Sequence, residues 1–172
     1  MAKVSAFIIR GKVQHGTALG FVEDTIDLGA FVDALGKSVL RIHSIQVQHQ
    51  EDQNPAKGPV SSANGVTLNL GYQLTTQSQI AMIQTSDKSV IASGNTVTSK
   101  VSGSPIVHMI ADTNNLNPTM FGVGYLIATE TLYLSCATDV QADDAFTTNI
   151  ILECSVEKLD ERAAMSLALS QS

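Results

Sequence analysis

The feature that most constrains this chain is strict alternation of apolar and polar residues. Val66, Leu68, Leu70, Tyr72 and Leu74 alternate with Thr67, Asn69, Gly71 and Gln73. Leu132, Leu134 and Cys136 alternate with Thr131, Tyr133 and Ser135. Phe146, Thr148, Ile150, Leu152, Cys154 and Val156 alternate with Thr147, Asn149, Glu153, Ser155 and Glu157, and Ile151 is the one apolar residue on the polar phase. Side chains on a strand point to opposite faces in turn, so each run is a strand with one face on a core and the other on a polar environment.

Further strands are expected at Val4–Arg10, Leu19–Leu28, Val39–Gln50, Thr96–Val101, Pro105–Ile110 and Gly122–Ile127. Turn residues punctuate them: Asn64-Gly65, Ser93-Gly94-Asn95, Ser102-Gly103-Ser104-Pro105, Asn117-Pro118 and Asp143-Asp144. Eight or nine short strands with this spacing predict an all-β antiparallel sandwich or barrel. Within Val39–Gln50 the apolar phase changes, from Leu40 and Ile42 to Ile45 and Val47, which predicts a bulge or bend near His43-Ser44. The polar stretch Gln50–Ala63, with Pro55, Gly58 and Pro59, reads as a long loop.

Helical signal is sparse. Gly29–Gly36 has room for one or two turns, and Gln79–Thr85 is ambiguous. Asp160 and Glu161 open a short C-terminal helix, with Leu159, Ala163 and Leu167 at i, i+4 and i+8. A terminus this rich in Leu and Ala needs something to dock on.

The chain has 172 residues, no internal repeat and no shift in composition, so a single domain over residues 1–172 is expected. Hydrophobic residues make up 44%, enough for a packed core, whereas charged residues are only 15% against a usual quarter. A surface so poor in charge suits burial against copies of itself; it also suits a β protein with Ser and Thr on its outer strand faces. The net charge is −6 and the basic residues are scattered, which argues against direct nucleic-acid binding, since that needs a clustered basic footprint. Apolar stretches break well short of the ~18 residues of a membrane-spanning helix. The run Ala6–Ile9 between Lys3 and Arg10 is too short for a signal-peptide core, so synthesis and folding in a cytosol are expected.

Motifs that carry chemistry are few. No G-x-S-x-G elbow, phosphate loop or G-x-G-x-x-G occurs. The four histidines, His15, His43, His49 and His108, form no His-x-His pair. His43 and His49 lie ~20 Å apart along an extended strand, and His49 with Glu51 supplies only two ligands. Asp112-Thr113-Asn114-Asn115-Leu116-Asn117 concentrates oxygen side chains as a Ca²⁺ loop does, but lacks its central Gly and closing Glu; Asx turns use the same residues. Asp143-Asp144 and Glu23-Asp24 are adjacent in sequence, so on a strand each pair points to opposite faces and neither forms an acid–base dyad. Five Phe, three Tyr and no Trp leave few stacking platforms for sugars or single-stranded nucleic acid. No catalytic residue, metal ligand or cofactor site is therefore expected.

Cys136 and Cys154 belong to no C-x-x-C motif. If their strands form a hairpin around Gln141, the thiols lie ~27 Å apart, too far for a disulfide. If the strands lie in opposite sheets a bridge becomes possible. Reduced core thiols are the expected state.

The segment Gly122–Thr138, Gly-Val-Gly-Tyr-Leu-Ile-Ala-Thr-Glu-Thr-Leu-Tyr-Leu-Ser-Cys-Ala-Thr, followed by Asp-Ala-Phe-Thr-Thr-Asn-Ile-Ile-Leu-Glu-Cys, resembles the closing strands of small viral coat proteins. With the strand count and terminal helix, the chain as a whole resembles single jelly-roll major capsid proteins of tailless icosahedral viruses of archaea and bacteria. That resemblance implies an eight-stranded jelly roll in two four-stranded sheets. It also implies self-assembly into capsomers, residence in the virion after synthesis in the host cytoplasm, and an internal membrane or second coat protein as neighbours. The absence of a basic N-terminal arm agrees with a shell whose coat does not neutralise the genome directly. Two other classes stay open: a non-viral, tail or appendage assembly subunit, and a soluble ligand-binding jelly roll.

Overall fold

The computed structural model describes residues 6–33, 38–100 and 107–171, with the backbone alone for 107–115. Nine strands and one helix of more than a single turn occur among the described residues. The strands are β1 (Phe7–His15), β2 (Gly20–Asp27), β3 (Ser38–Glu51), β4 (Thr67–Thr75), β5 (Val90–Lys100), β6 (Val107–Leu116), β7 (Tyr125–Ile127), β8 (Thr131–Thr138) and β9 (Phe146–Lys158). Helix α1 (Glu161–Gln171) closes the chain, and no described helix is long and apolar enough to cross a membrane.

The pairing is nested. β1 pairs with β9, β2 with β8, β3 with β7 and β4 with β5, all antiparallel, as though one long hairpin had been rolled up. Rolling brings β9 against β3 and β8 against β4, giving a four-stranded sheet β1-β9-β3-β7 and a five-stranded sheet β2-β8-β4-β5-β6. This is a single jelly-roll sandwich. It has one strand beyond a four-plus-four arrangement: β6 lies outside β5.

Between the sheets lies one continuous core. The alternating residues Leu70 and Leu74 (β4), Leu132, Leu134 and Cys136 (β8), and Phe146, Ile150, Leu152 and Cys154 (β9) are all buried in it, as their phase requires. The β3–β9 register slips between Ile42 and Ser44, the position at which the sequence changes phase. One extra residue there keeps Leu40 and Ile42 before it, and Ile45 and Val47 after it, on the core side.

Other boundaries moved. β5 begins at Val90 and runs through Ser93-Gly94-Asn95, which sequence punctuation marks as a turn. Gly94 instead sits at a register shift against β6, a common place for glycine inside a strand. β6 continues to Leu116, and β1 runs on to His15. Gln79–Thr85 is not helical but an irregular loop. At Gly29–Gly36, Phe31 N–H and Val32 N–H both donate to Leu28 C=O (2.8 and 3.0 Å), making one turn; positions 34–36 lie outside the described residues, as do 1–5 and the 102–105 turn.

Helix α1 starts where the acidic residues place it. Asp160 accepts from Ala163 N–H at 2.8 Å, an N-cap bond. Its buried contact is Ala164 rather than Ala163, packed with Val39 and Ala128 and flanked by Leu159, Leu167 and Ala168. The helix thus docks on its own sandwich, beside β7.

Candidate contact surface

The residues with chemical potential are dispersed and occupied. His15 is buried, stacked on Phe146 at 4.9 Å, with its ring nitrogens 2.7 and 3.1 Å from the carbonyls of Gly16 and Gly20. The bulge at Ile42/Ser44 places His43 on the outer face, where it bonds Ser155 Oγ at 2.8 Å. His49, beyond the bulge, faces inward to Thr148 Oγ1 at 2.9 Å. His43 and His49, six residues apart on one strand, therefore face opposite sides because the bulge shifts the phase between them. Glu51 is drawn away from His49 by Lys57, 2.7 Å from its Oε1. His108 lies on β6, and its side chain is outside the described residues.

The carboxylate pairs serve as ties. Glu23 accepts from Ser78 Oγ (2.6 Å) and Gln79 N–H (2.9 Å), while Asp24 accepts from Thr25 N–H. Asp143 pairs with Lys100 at 3.0 Å, and Asp144 accepts from Ala145 N–H. Asp112–Leu116 is strand rather than loop, opposite Thr96 to Ser93 of β5. A run of oxygen-bearing residues carries no information on whether its backbone curls round an ion or extends, and pairing with β5 extends it. Asn117 follows as the N-cap of a 3-10 turn (Pro118–Met120). Among the described residues no three His, Cys, Asp or Glu side chains gather as a metal site would require.

Cys136 and Cys154 lie in opposite sheets, both buried and unbridged. Burial pushes the Cys136 thiol up to about 11 and the Cys154 thiol up to about 12. Neither is a nucleophile near neutral pH.

What the fold does build is a surface. On the outer face of β1-β9-β3 the side chains include Gln14, Gln46, Gln48, Gln50, Thr147, Asn149 and Ile151, with charged Arg10, Lys12 and Glu153 among them, a polar sheet face; Asn149 Nδ2 donates to Gln50 Oε1 at 3.0 Å across it. Arg41 and Glu157 form an ion pair at one end of that face. The same guanidinium donates to Val123 C=O, tying the segment after the 3-10 turn to β3.

That segment is fixed from three sides. Asn117 Nδ2 donates to Ile45 C=O at 3.1 Å, and its Oδ1 accepts from Thr119 N–H and Oγ1. Gly124, at φ +70°, lies so close to the Ile42 carbonyl oxygen that a Cβ would collide with it. On this rigid support Met120, Phe121 and Val123 are exposed, Val123 at 74%. Met165 and Leu169 of α1 are exposed as well.

Helix α1 is latched by its last residue. Gln171 is buried; its Nε2 donates to Leu126 C=O (2.6 Å) and its Oε1 accepts from Ala128 N–H (2.9 Å). The amide thus takes the place of a neighbouring strand's backbone beside β7. Gln171 C=O in turn accepts from Thr76 Oγ1 at 2.8 Å. Gln73 repeats the device with the backbone of Ile83, at 2.5 and 3.0 Å, holding the loop 76–88 against the five-stranded sheet. Periodicity reads neither latch, because each depends on one amide meeting backbone far away in sequence.

The expected Gln50–Ala63 loop is likewise pinned. Thr98 Oγ1 donates to Pro59 C=O, and Val60 and Ser61 are buried. Under it, between the sheets, lies a cavity of about 250 Å³ lined by His49, Tyr72, Thr96, Thr98 and Lys57 among others.

No family model and no curated protein matches the chain. Among solved structures it is similar to VP1 of Merkel cell polyomavirus in complex with GD1a oligosaccharide, at 10% identity and a TM-score of 0.49, covering 92% of this chain and 97% of that one. It is also similar to a chain of maize chlorotic mottle virus (9% identity, TM-score 0.35, 89% and 94% covered) and one of desmodium yellow mottle tymovirus (8%, 0.31, 93% and 93%).

Proposed function

We propose that this chain is a structural coat subunit, assembling with copies of itself into the capsomers of an icosahedral viral shell. The observation that carries the reading is the rigidly held segment after Asn117, which keeps Met120, Phe121 and Val123 in water on a support set by Arg41, Asn117 and Gly124. Apolar side chains fixed in solvent favour a partner, because burying them releases their hydration while costing little ordering. The Gln, Asn and Thr residues on the outer face of the four-stranded sheet give a second, polar surface, on which Arg10, Lys12 and Glu153 are charges that a partner would have to match. Jelly rolls serve as shell subunits, and the sequence resemblance to single jelly-roll capsid proteins points the same way. On that resemblance the shell belongs to a tailless virus of archaea or bacteria, with a second coat protein or an internal membrane as neighbours. The scattered basic residues speak against direct genome contact.

The role on this reading is structural rather than catalytic. Electron microscopy of the purified full chain tests it: rings or closed shells are the expected result, and a field of single subunits at every concentration tried would contradict it. The cavity beside His49 and Tyr72 favours a second reading, a ligand-binding jelly roll. Native mass spectrometry separates the two, since a monomer carrying a bound small molecule supports the second.

A further inference from the structure

The interior of the sandwich changes character at one end. The inward positions of β9 are apolar at Phe146, Ile150 and Leu152, but Thr148 stands among them. Thr148 is buried, and its Oγ1 lies 2.9 Å from His49 Nδ1 of β3. On β5, Thr96 and Thr98 are buried opposite Leu70 and Leu68 of β4, so they too point inward. Tyr72 of β4 is buried beside them, its ring centroid 6.1 Å from that of His49 and tilted by 50°. Protein interiors are close-packed and hold few voids larger than a water molecule. Here His49, Tyr72, Thr96 and Thr98 instead border a cavity of about 250 Å³, roughly eight water volumes.

The roof of the cavity is held by specific bonds. Gln50 Nε2 donates to Pro55 C=O (2.7 Å), Glu51 N–H to Lys57 C=O (2.9 Å) and Thr98 Oγ1 to Pro59 C=O (2.9 Å). Pro55, Ala56 and Pro59 therefore stand over the cavity as fixed apolar walls. The lining selects what fits. Histidine aside, Lys57 is its one charged residue, and Lys57 Nζ lies 2.7 Å from the buried Glu51 carboxylate. An anion would compete with Glu51 for that ammonium and a cation would face it, so the site favours a neutral molecule. The flat rings of Tyr72 and His49 favour a flat ring, which they can meet by edge or face. Thr98 Oγ1 commits its hydrogen to Pro59, and a hydroxyl oxygen that donates still accepts, so Thr98 suits a donor on the ligand.

We propose that this cavity binds a small uncharged aromatic molecule carrying one hydroxyl or N–H donor, with its ring against Tyr72 and His49 and its donor on Thr98. This rests on the reading of the cavity as a ligand site, and it names the class of ligand. It is independent of self-assembly, since a coat subunit can hold such a site as readily as a monomer.

Nuclear magnetic resonance of the full chain tests it with three probes of similar size. Phenol is flat and neutral with one donor; cyclohexanol has the same donor but is not flat; benzoate is flat but charged. Phenol is expected to shift the Tyr72 and His49 ring signals saturably and to give Overhauser contacts to Tyr72 and the Thr98 methyl group. Cyclohexanol and benzoate should need concentrations about tenfold higher or more for the same shift. Ala56→Phe enlarges an exposed roof residue to fill the cavity; it should stay folded by circular dichroism and abolish the phenol shifts. If that variant does not fold, the Overhauser contacts in the wild type decide alone. Phenol shifts that persist in folded Ala56→Phe, or phenol contacts to other residues only, overturn the inference. Cyclohexanol or benzoate binding as tightly as phenol overturns the ligand class and leaves the ligand-site reading standing. No shift of these signals by any of the three probes means a cavity that holds only water, and overturns both.

Discussion

At the scale of single residues, the fold depends on a few positions where geometry leaves no slack. Gly124 combines φ +70° with the approach of the Ile42 carbonyl. Gly124→Ala should destabilise the fold by roughly 1–3 kcal/mol, measured by urea unfolding, because strain and collision add. Arg41 holds the Glu157 carboxylate below its ordinary value, chiefly by hydrogen bonding, and is itself raised by the same bond. A carboxylate whose folded value is depressed stabilises the fold above its unfolded value, and that stability is lost as pH falls through the folded one. Glu157→Gln should therefore flatten part of the acid limb of a stability–pH curve, by no more than about 1 kcal/mol for a partly exposed, solvent-screened pair. The two thiols, raised by burial, should ignore a thiol reagent at pH 8 in the native protein and react once it is unfolded.

At the scale of elements, the strands whose two faces differ most were legible. β4, β8 and β9 separate core from polar environment in strict alternation, and the bulge in β3 was visible as a change of phase. Polar strands were not legible in the same way. The β5–β6 pair is rich in Ser, Thr, Asn and Gly, so its extent is set by ladder bonds rather than by side-chain phase, and a run that resembles an ion-binding loop proved extended. The candidate surface was legible in part. Low charge and an apolar terminal helix were plain in the sequence, but the amide latches were not, because nothing local distinguishes Gln171 or Gln73 from any polar residue. The latch gives α1 a specific test. Gln171→Ala leaves Leu126 C=O and Ala128 N–H without that partner, which should cost about 1–3 kcal/mol. It should speed hydrogen exchange at Ala128 and open the end of α1 to limited proteolysis before global unfolding.

At the scale of the whole molecule, one long rolled hairpin yields two sheets, a dry core between them, and exterior features that the core does not need. The core consumes the alternating apolar residues. Ile80, Met120, Phe121, Val123 and Leu169 remain outside it on fixed supports, and the four-stranded sheet turns a polar face to solvent. A chain built this way is expected to be stable alone and to associate when concentrated. Light scattering on the purified full chain over a wide concentration range measures this most directly. A mass that rises from a single subunit to a defined multiple is expected; a constant 18.2 kDa at every concentration would overturn self-assembly.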